Sequence, residues 1–135
     1  MDFWTSLFHE TSGDAVLELA CGTGRLAHAL LRDGAQYTGI EIEPNFVRYA
    51  KKKLACFNDS ASIIGGDMRS FDLGKKFDLI FIGFNSFLHL LTDKDALDFF
   101  HCVQNHMHKT SRFIIDIYIP SPLFLYRPEE VRFPV

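Results

Sequence analysis

Residues 16–27 read Val-Leu-Glu-Leu-Ala-Cys-Gly-Thr-Gly-Arg-Leu-Ala, and this stretch constrains the fold more tightly than any other. An apolar run carrying one carboxylate, Glu18, breaks into the small residues Ala20, Gly22 and Gly24. The helical spacing of Leu26, Ala27, Leu30 and Leu31 follows at once. A strand, a glycine turn and a helix in that order bring a ligand against backbone N–H groups. The carboxylate before the turn narrows the choice of ligand. It attracts an ammonium group and repels a phosphate, so the loop suits a ligand with an amino-acid head.

The remainder of the chain alternates strand and helix. Phe3, Trp4, Leu7 and Phe8 predict a short amphipathic helix packed on a sheet. Strands are expected at 15–19, 37–41, 61–64, 77–82 and 112–119. The intervening helices are expected at about 24–32, from Pro44 to about Phe57, and from a cap at Thr92 or Asp93 to about Met107. Asp33-Gly34 closes the first of these. The inward faces are Val47, Ala50 and Leu54 on one helix and Leu97, Phe100, Val103 and Met107 on the other. The result is an α/β fold, a Rossmann-like doubly wound parallel sheet of about five strands with flanking helices. Residues 1–119 form one domain. A tail at 120–135 follows, punctuated by Pro120, Pro122, Pro128 and Pro134, with no clear helix or strand.

Charge and cysteine usage remove several function classes. A net charge of −3 with no basic stripe disfavours nucleic acid as the main partner. No apolar run approaches the ~20 residues that span a bilayer, and Met1-Asp2-Phe3-Trp4 is not a signal peptide, so a cytoplasmic protein is expected. Cys21, Cys56 and Cys102 make neither a disulfide framework nor a zinc spacing. Cys102 and His106 stand four apart on a helix, but His101 and His108 complete no ligand set, and no metal is expected.

An acidic residue followed by alternating small residues and ending Cys-Gly-Thr-Gly-Arg resembles the first motif of the class I S-adenosylmethionine-dependent methyltransferases. Glu18, Ala20, Gly22 and Gly24 hold the motif positions, with Ala20 in place of the usual first glycine. The resemblance runs through most of the chain. It implies S-adenosylmethionine as cofactor and a loop of Glu18, Ala20, Cys21, Gly22, Gly24 and Arg25 around it. Glu41, ending the second strand, matches the acidic residue that accepts hydrogen bonds from the ribose diol, and Ile42 matches the apolar residue packed on the adenine. Asp67 matches the acceptor of the adenine amino group, with the Met68 N–H toward a ring nitrogen. Gly83 and Phe84, after the fourth strand, match positions beside the methionine portion and the sulfonium. Asn85 either orients an acceptor or satisfies loop backbone. His89 reads as a structural histidine, with a catalytic base as the alternative.

The resemblance implies methyl transfer to a small-molecule acceptor, and it gives the chain the look of a C-terminally shortened member that lacks the family's last antiparallel hairpin. An apolar fifth strand at an open edge then predicts dimerisation, or tail exchange between subunits. Two other readings compete. One is a non-enzymatic module that binds cofactor and assembles through the fifth strand. The other is an NAD-dependent oxidoreductase, because Gly22-Thr-Gly24-Arg-Leu-Ala27 also fits G-x-G-x-x-A, although Glu18 and Gly66-Asp67-Met68 are out of place for a pyrophosphate ligand. A further expectation is that Gly24→Val fills the ligand's approach path without unfolding the protein.

Overall fold

The computed structural model describes residues 3–126. Five parallel strands make one sheet in the order β3-β2-β1-β4-β5. They are β1 Ala15–Leu19, β2 Gln36–Glu41, β3 Ala61–Gly65, β4 Phe77–Ile82 and β5 Met107–Ile115. Each crossover carries a helix or a long loop. Helix α1 is Phe3–His9, α2 is Ala27–Arg32, α3 is Pro44–Leu54, α4 is Asp93–Asn105, and a short α5, Pro122–Leu125, lies beyond the sheet. The strand order reverses between β1 and β4, which opens a crevice at their carboxyl ends.

Alternation along the strands divides the core into two layers. Val16, Tyr37, Leu79 and Phe81 face α1, α2 and α3, where Trp4 stacks on Phe81 with ring centroids 4.5 Å apart. Leu17, Leu19, Ile40, Ile80 and Ile82 face α4. Sheets covered on both sides read as continuous apolar runs, and β4 (Phe-Asp-Leu-Ile-Phe-Ile) is such a run. Helix entries follow local chemistry. The Glu43 carboxylate accepts from the Asn45 N–H ahead of Pro44, and the Thr92 hydroxyl accepts from the Asp95 N–H.

Several expectations need correcting. Helix α2 begins at Ala27 and not at Gly24, because Ala20, Gly22 and Gly24 all have positive φ and hold the chain out of a right-handed helix. Helix α3 ends at Leu54, and a 3-10 segment, Ala55–Ser60, replaces its last turn around Asn58 at φ 49°. Strand β5 starts five residues early, at Met107, and stops at Ile115. Its register with β4 jumps from Phe77–Met107 to Leu79–Arg112, so the intervening residues bulge from the ladder. On α4 the inward residues are Phe99 and Val103, whereas Leu97 is 57% exposed and Phe100 is 40% exposed. Phe99 takes the inner place, its ring edge-on to Phe87 and tilted against Phe113 of β5, while Phe100 meets the same two rings from the more exposed side. Met107 belongs to β5 and not to the helix. Pro122–Leu125 is helical where no element was expected, and the tail beyond Tyr126 lies outside the described residues. Among the described residues, no helix is long and apolar enough to cross a membrane.

The rotated face of α4 can be measured. Phe99→Ala is expected to cost about 3–5 kcal/mol in urea unfolding, and Leu97→Ala to stay within about 0.5 kcal/mol of wild type. Equal losses at the two positions would contradict this packing.

Candidate functional site

A cavity of about 480 Å³ opens at the carboxyl ends of the strands. Ala20 and Gly22 line it from the loop after β1, Glu41 and Ile42 from the end of β2, and Phe46 from the first turn of α3. Gly66, Asp67, Met68 and Arg69 after β3 form another wall, and Ser86, His89 and Leu90 after β4 complete it. Six residues expected around the cofactor therefore meet here, Ala20, Gly22, Glu41, Ile42, Asp67 and Met68, together with His89.

Glu41 joins two of these walls. Its side chain is buried, with Oε2 accepting the Gly22 N–H at 2.8 Å and Oε1 accepting the Glu43 N–H at 2.9 Å. A carboxylate oxygen has two lone pairs, so each oxygen keeps one for a hydroxyl donor in the cavity. Gly22, at φ +57°, has open space where a Cβ would stand, so a ligand can approach its backbone closely. Lys53 reaches from α3 to the Gly24 carbonyl at 3.1 Å and ties the loop from behind.

Glu18 lies beneath the loop, outside the cavity lining, and is 4% exposed. Tyr37, its diagonal neighbour on β2, donates a 2.5 Å hydrogen bond to Oε2. Burial pushes the Glu18 carboxyl up to about 8, with the Tyr37 bond and the Arg25 charge pulling the other way. Cys21 is also core. Its N–H continues the ladder to the Ile40 carbonyl, and burial pushes its thiol up to about 12. The side of Gly24 faces α3, where a Cβ would stand 3.0 Å from Leu54 Cδ1. Gly24 is needed for packing, at φ +69°, so Gly24→Val strikes the fold and not an open approach path. Gly83 likewise makes room for a protein ring, since a Cβ there would meet Trp4 Cζ2 at 3.3 Å.

The segment after β4 is strained. Phe84 and Asn85 have φ values of 54° and 64°, rare for a bulky side chain. Asp116 holds them: its Oδ2 accepts the Phe84 N–H and its carbonyl accepts the Asn85 N–H. Asn85 Oδ1 in turn accepts the Tyr118 N–H, so the side chain serves the loop backbone. The Arg25 guanidinium lies 3.8 Å over the Phe84 ring. Arg25 and Phe84 thus form a neighbouring pair beyond the cavity lining. His89 does line the cavity.

Asp67 is gripped by Arg69, which holds its carboxyl below the ordinary value. Reading the sequence missed Arg69, Phe46, Ser86 and Tyr37. The Asp-Met-Arg spacing is a usable signal for Arg69, since Asx-type turns bring residue i+2 back to the carboxylate. Among the described residues, no group of three or more His, Cys, Asp or Glu side chains could hold a metal. His106 is occupied by backbone: Nδ1 bonds the Cys102 carbonyl at 2.7 Å, and Nε2 accepts the Leu73 N–H at 2.9 Å.

Comparison with known proteins agrees with this architecture. Residues 16–110 match the methyltransferase domain family. The dTDP-3-amino-3,4,6-trideoxy-alpha-D-glucopyranose N,N-dimethyltransferase of Streptomyces venezuelae is 31% identical over 60% of this chain and 32% of its own length. The cypemycin N-terminal methyltransferase of a Streptomyces species is 24% identical over 87% of this chain and 47% of its own. The glycopeptide N-methyltransferase MtfA, solved with S-adenosyl-L-methionine, superposes with a TM-score of 0.73 at 26% identity, covering 83% of this chain and 51% of that one. The chain spans about half the length of these relatives, or less.

Glu18 gives the site a signature that needs no ligand. The folded protein keeps the Glu18 proton up to about pH 8, while the unfolded chain releases it near 4.5. The stability gained from holding that proton is complete below about pH 4.5 and is lost as pH rises toward about 8. Wild type is expected to lose thermal stability relative to Glu18→Gln between about pH 5 and about pH 8. Parallel pH profiles for the two proteins would show that Glu18 does not titrate in this way.

Proposed function

Since this chain belongs to the methyltransferase domain family, we propose that it is the cofactor-binding core of an S-adenosylmethionine-dependent methyltransferase with a small-molecule acceptor. Buried Glu41 carries the reading. It stands at the end of β2, holds the glycine loop by the Gly22 N–H, and keeps acceptor capacity toward the cavity. A vicinal diol is the ligand group that matches two carboxylate oxygens in this position. Ile42 and Phe46 offer apolar faces to a purine, and Asp67 with the Met68 N–H receives its polar edge. Open space beside Gly22 accommodates the rest of the cofactor. Glu18, kept protonated by burial despite the Arg25 charge, takes on its own charge as a ligand's ammonium group settles above the loop.

When bound, the cofactor supplies a methyl carbon already activated by its sulfonium. The task left to the chain is alignment in a site sheltered from water. The strained Phe84–Asn85 segment and its Arg25 cover, just outside the cavity lining, flank the side left for the acceptor. Two of the relatives methylate nitrogen, as their names state, and a neutral amine needs alignment and desolvation more than a base. For a hydroxyl acceptor, His89 is the candidate base at the cavity wall.

Two finer points belong to the same reading. Free Cys21, Cys56 and Cys102 suit the reducing cytoplasm. Strand β5, paired among the described residues with β4 alone, is the edge through which two copies would associate. Light scattering is expected to report a dimer, and a monomer at all concentrations would remove this point.

Isothermal titration with S-adenosylmethionine, S-adenosylhomocysteine and NAD tests the central reading. Micromolar binding of the first two and none of NAD is expected. Glu41→Ala is expected to weaken that binding by about 1.5–3 kcal/mol. Undiminished affinity in the variant would exclude Glu41 from the diol site, and NAD binding would favour an oxidoreductase.

A further inference from the structure

A single guanidinium links the base-facing wall of the cavity to a helix outside it. The Arg69 backbone N–H donates to Asp67 Oδ1 at 2.9 Å, turning the chain back on the carboxylate. The side chain follows, with Nε between the two oxygens at 3.0 and 3.1 Å and Nη2 on Oδ2 at 2.7 Å. The other arm of the fork, Nη1, donates to Asp95 Oδ1 at 2.7 Å. Asp95 sits in the first turn of α4, where its own N–H is held by the Thr92 hydroxyl. Arg69 lines the cavity and Asp95 does not.

A solvent-facing ion pair of this kind contributes little to stability, because water screens it. What a planar fork gives a carboxylate is direction. With both oxygens engaged, the plane of Asp67 is set relative to the cavity. Since Nε is shared between the oxygens, Oδ2 retains capacity for a further donor.

We infer that Arg69 and Asp95 are positioning residues for purine recognition: the fork aligns Asp67 with the exocyclic amino group of the base, and Asp95 aligns the fork. This rests on the reading that Asp67 and the Met68 N–H receive adenine. Adenine presents an amino donor beside a ring-nitrogen acceptor. Hypoxanthine presents the reverse, an oxo acceptor beside an N–H donor. A carboxylate and an N–H in fixed register accept the first pair, and they meet the second with acceptor against acceptor and donor against donor. A carboxylate free to turn, or to yield to a water molecule, separates the two bases less well. The ratio of affinities for the two bases thus reports alignment, while affinity for either alone reports only that the pocket is intact.

The experiment is calorimetric titration of wild type, Arg69→Gln and Asp95→Asn with S-adenosylhomocysteine and S-inosylhomocysteine. Wild type is expected to prefer the adenosyl ligand by roughly tenfold or more, and Arg69→Gln by only about threefold. Asp95→Asn is expected to fall between them, although residue 95 does not itself line the cavity. Equal loss of both affinities with the preference intact would overturn the inference and leave Arg69 as a structural tie. A preference that rises in Arg69→Gln would also overturn it, because the fork would then be competing with the base for Asp67. Wild type that binds the adenosyl ligand without preference defeats the positioning role alone. Wild type that binds neither ligand defeats the cofactor reading beneath it.

Discussion

The Glu41 carboxylate is the point on which the site turns. It closes β2, and its two oxygens accept N–H groups on either side of the cavity, from Gly22 of the first loop and from Glu43 at the entry to α3. Backbone bonds from Cys21 to Ile40 and from Gly66 to Glu41 carry the ladder just past the strand ends, and beyond them a buried side chain takes over. Such a carboxylate is expensive to bury unless its lone pairs are used. Here backbone N–H groups use part of them, and the part left over faces a cavity. The group that ties the loops therefore also lines the cavity.

Around this anchor the sheet acts as a rigid base with unevenly fixed walls. The first loop is held from three directions, by Glu41, by Lys53 on its carbonyl and by the packing of Gly24 against Leu54. The wall after β4 is held differently, by Asp116 gripping two residues with left-handed backbone. Left-handed Phe and Asn residues in succession cost free energy, and they persist only because neighbouring structure determines them. A firmly tied loop after β1 thus stands beside a segment after β4 that carries two left-handed residues.

Sequence patterns made the fold and half of the site legible, and the remainder depended on rotation and depth. Strands β1 and β4 and the inward residues of α3 follow from apolar period alone. Helix α4 misled, because Leu97 and Phe99 are equally apolar and only the ring packing with Phe87 and Phe113 selects between them. The family resemblance picked out Ala20, Gly22, Glu41, Ile42, Asp67 and Met68, all of which line the cavity. It could not distinguish a glycine facing the cavity from one facing the core, and Gly22 and Gly24 differ in that respect. Nor could it show that Tyr37, buried in mid-strand, would partner Glu18, because that contact crosses strands on the diagonal.

One packing relation reaches beyond this molecule. Gly39 lies opposite Glu18 in the register, and a Cβ at position 39 would stand 2.6 Å from Cys21 Sγ. Positions 21 and 39 thus share one volume, divided between a loop and the neighbouring strand. Drift at either is conditional on the other, since a side chain can be gained at 39 only where bulk is given up at 21. A side chain at 39 and the Cys21 thiol are therefore alternatives for the same space. Gaining the side chain at 39 first passes through an overpacked intermediate, whereas giving up bulk at 21 first passes through an underpacked one, so the two positions are coupled and not independent.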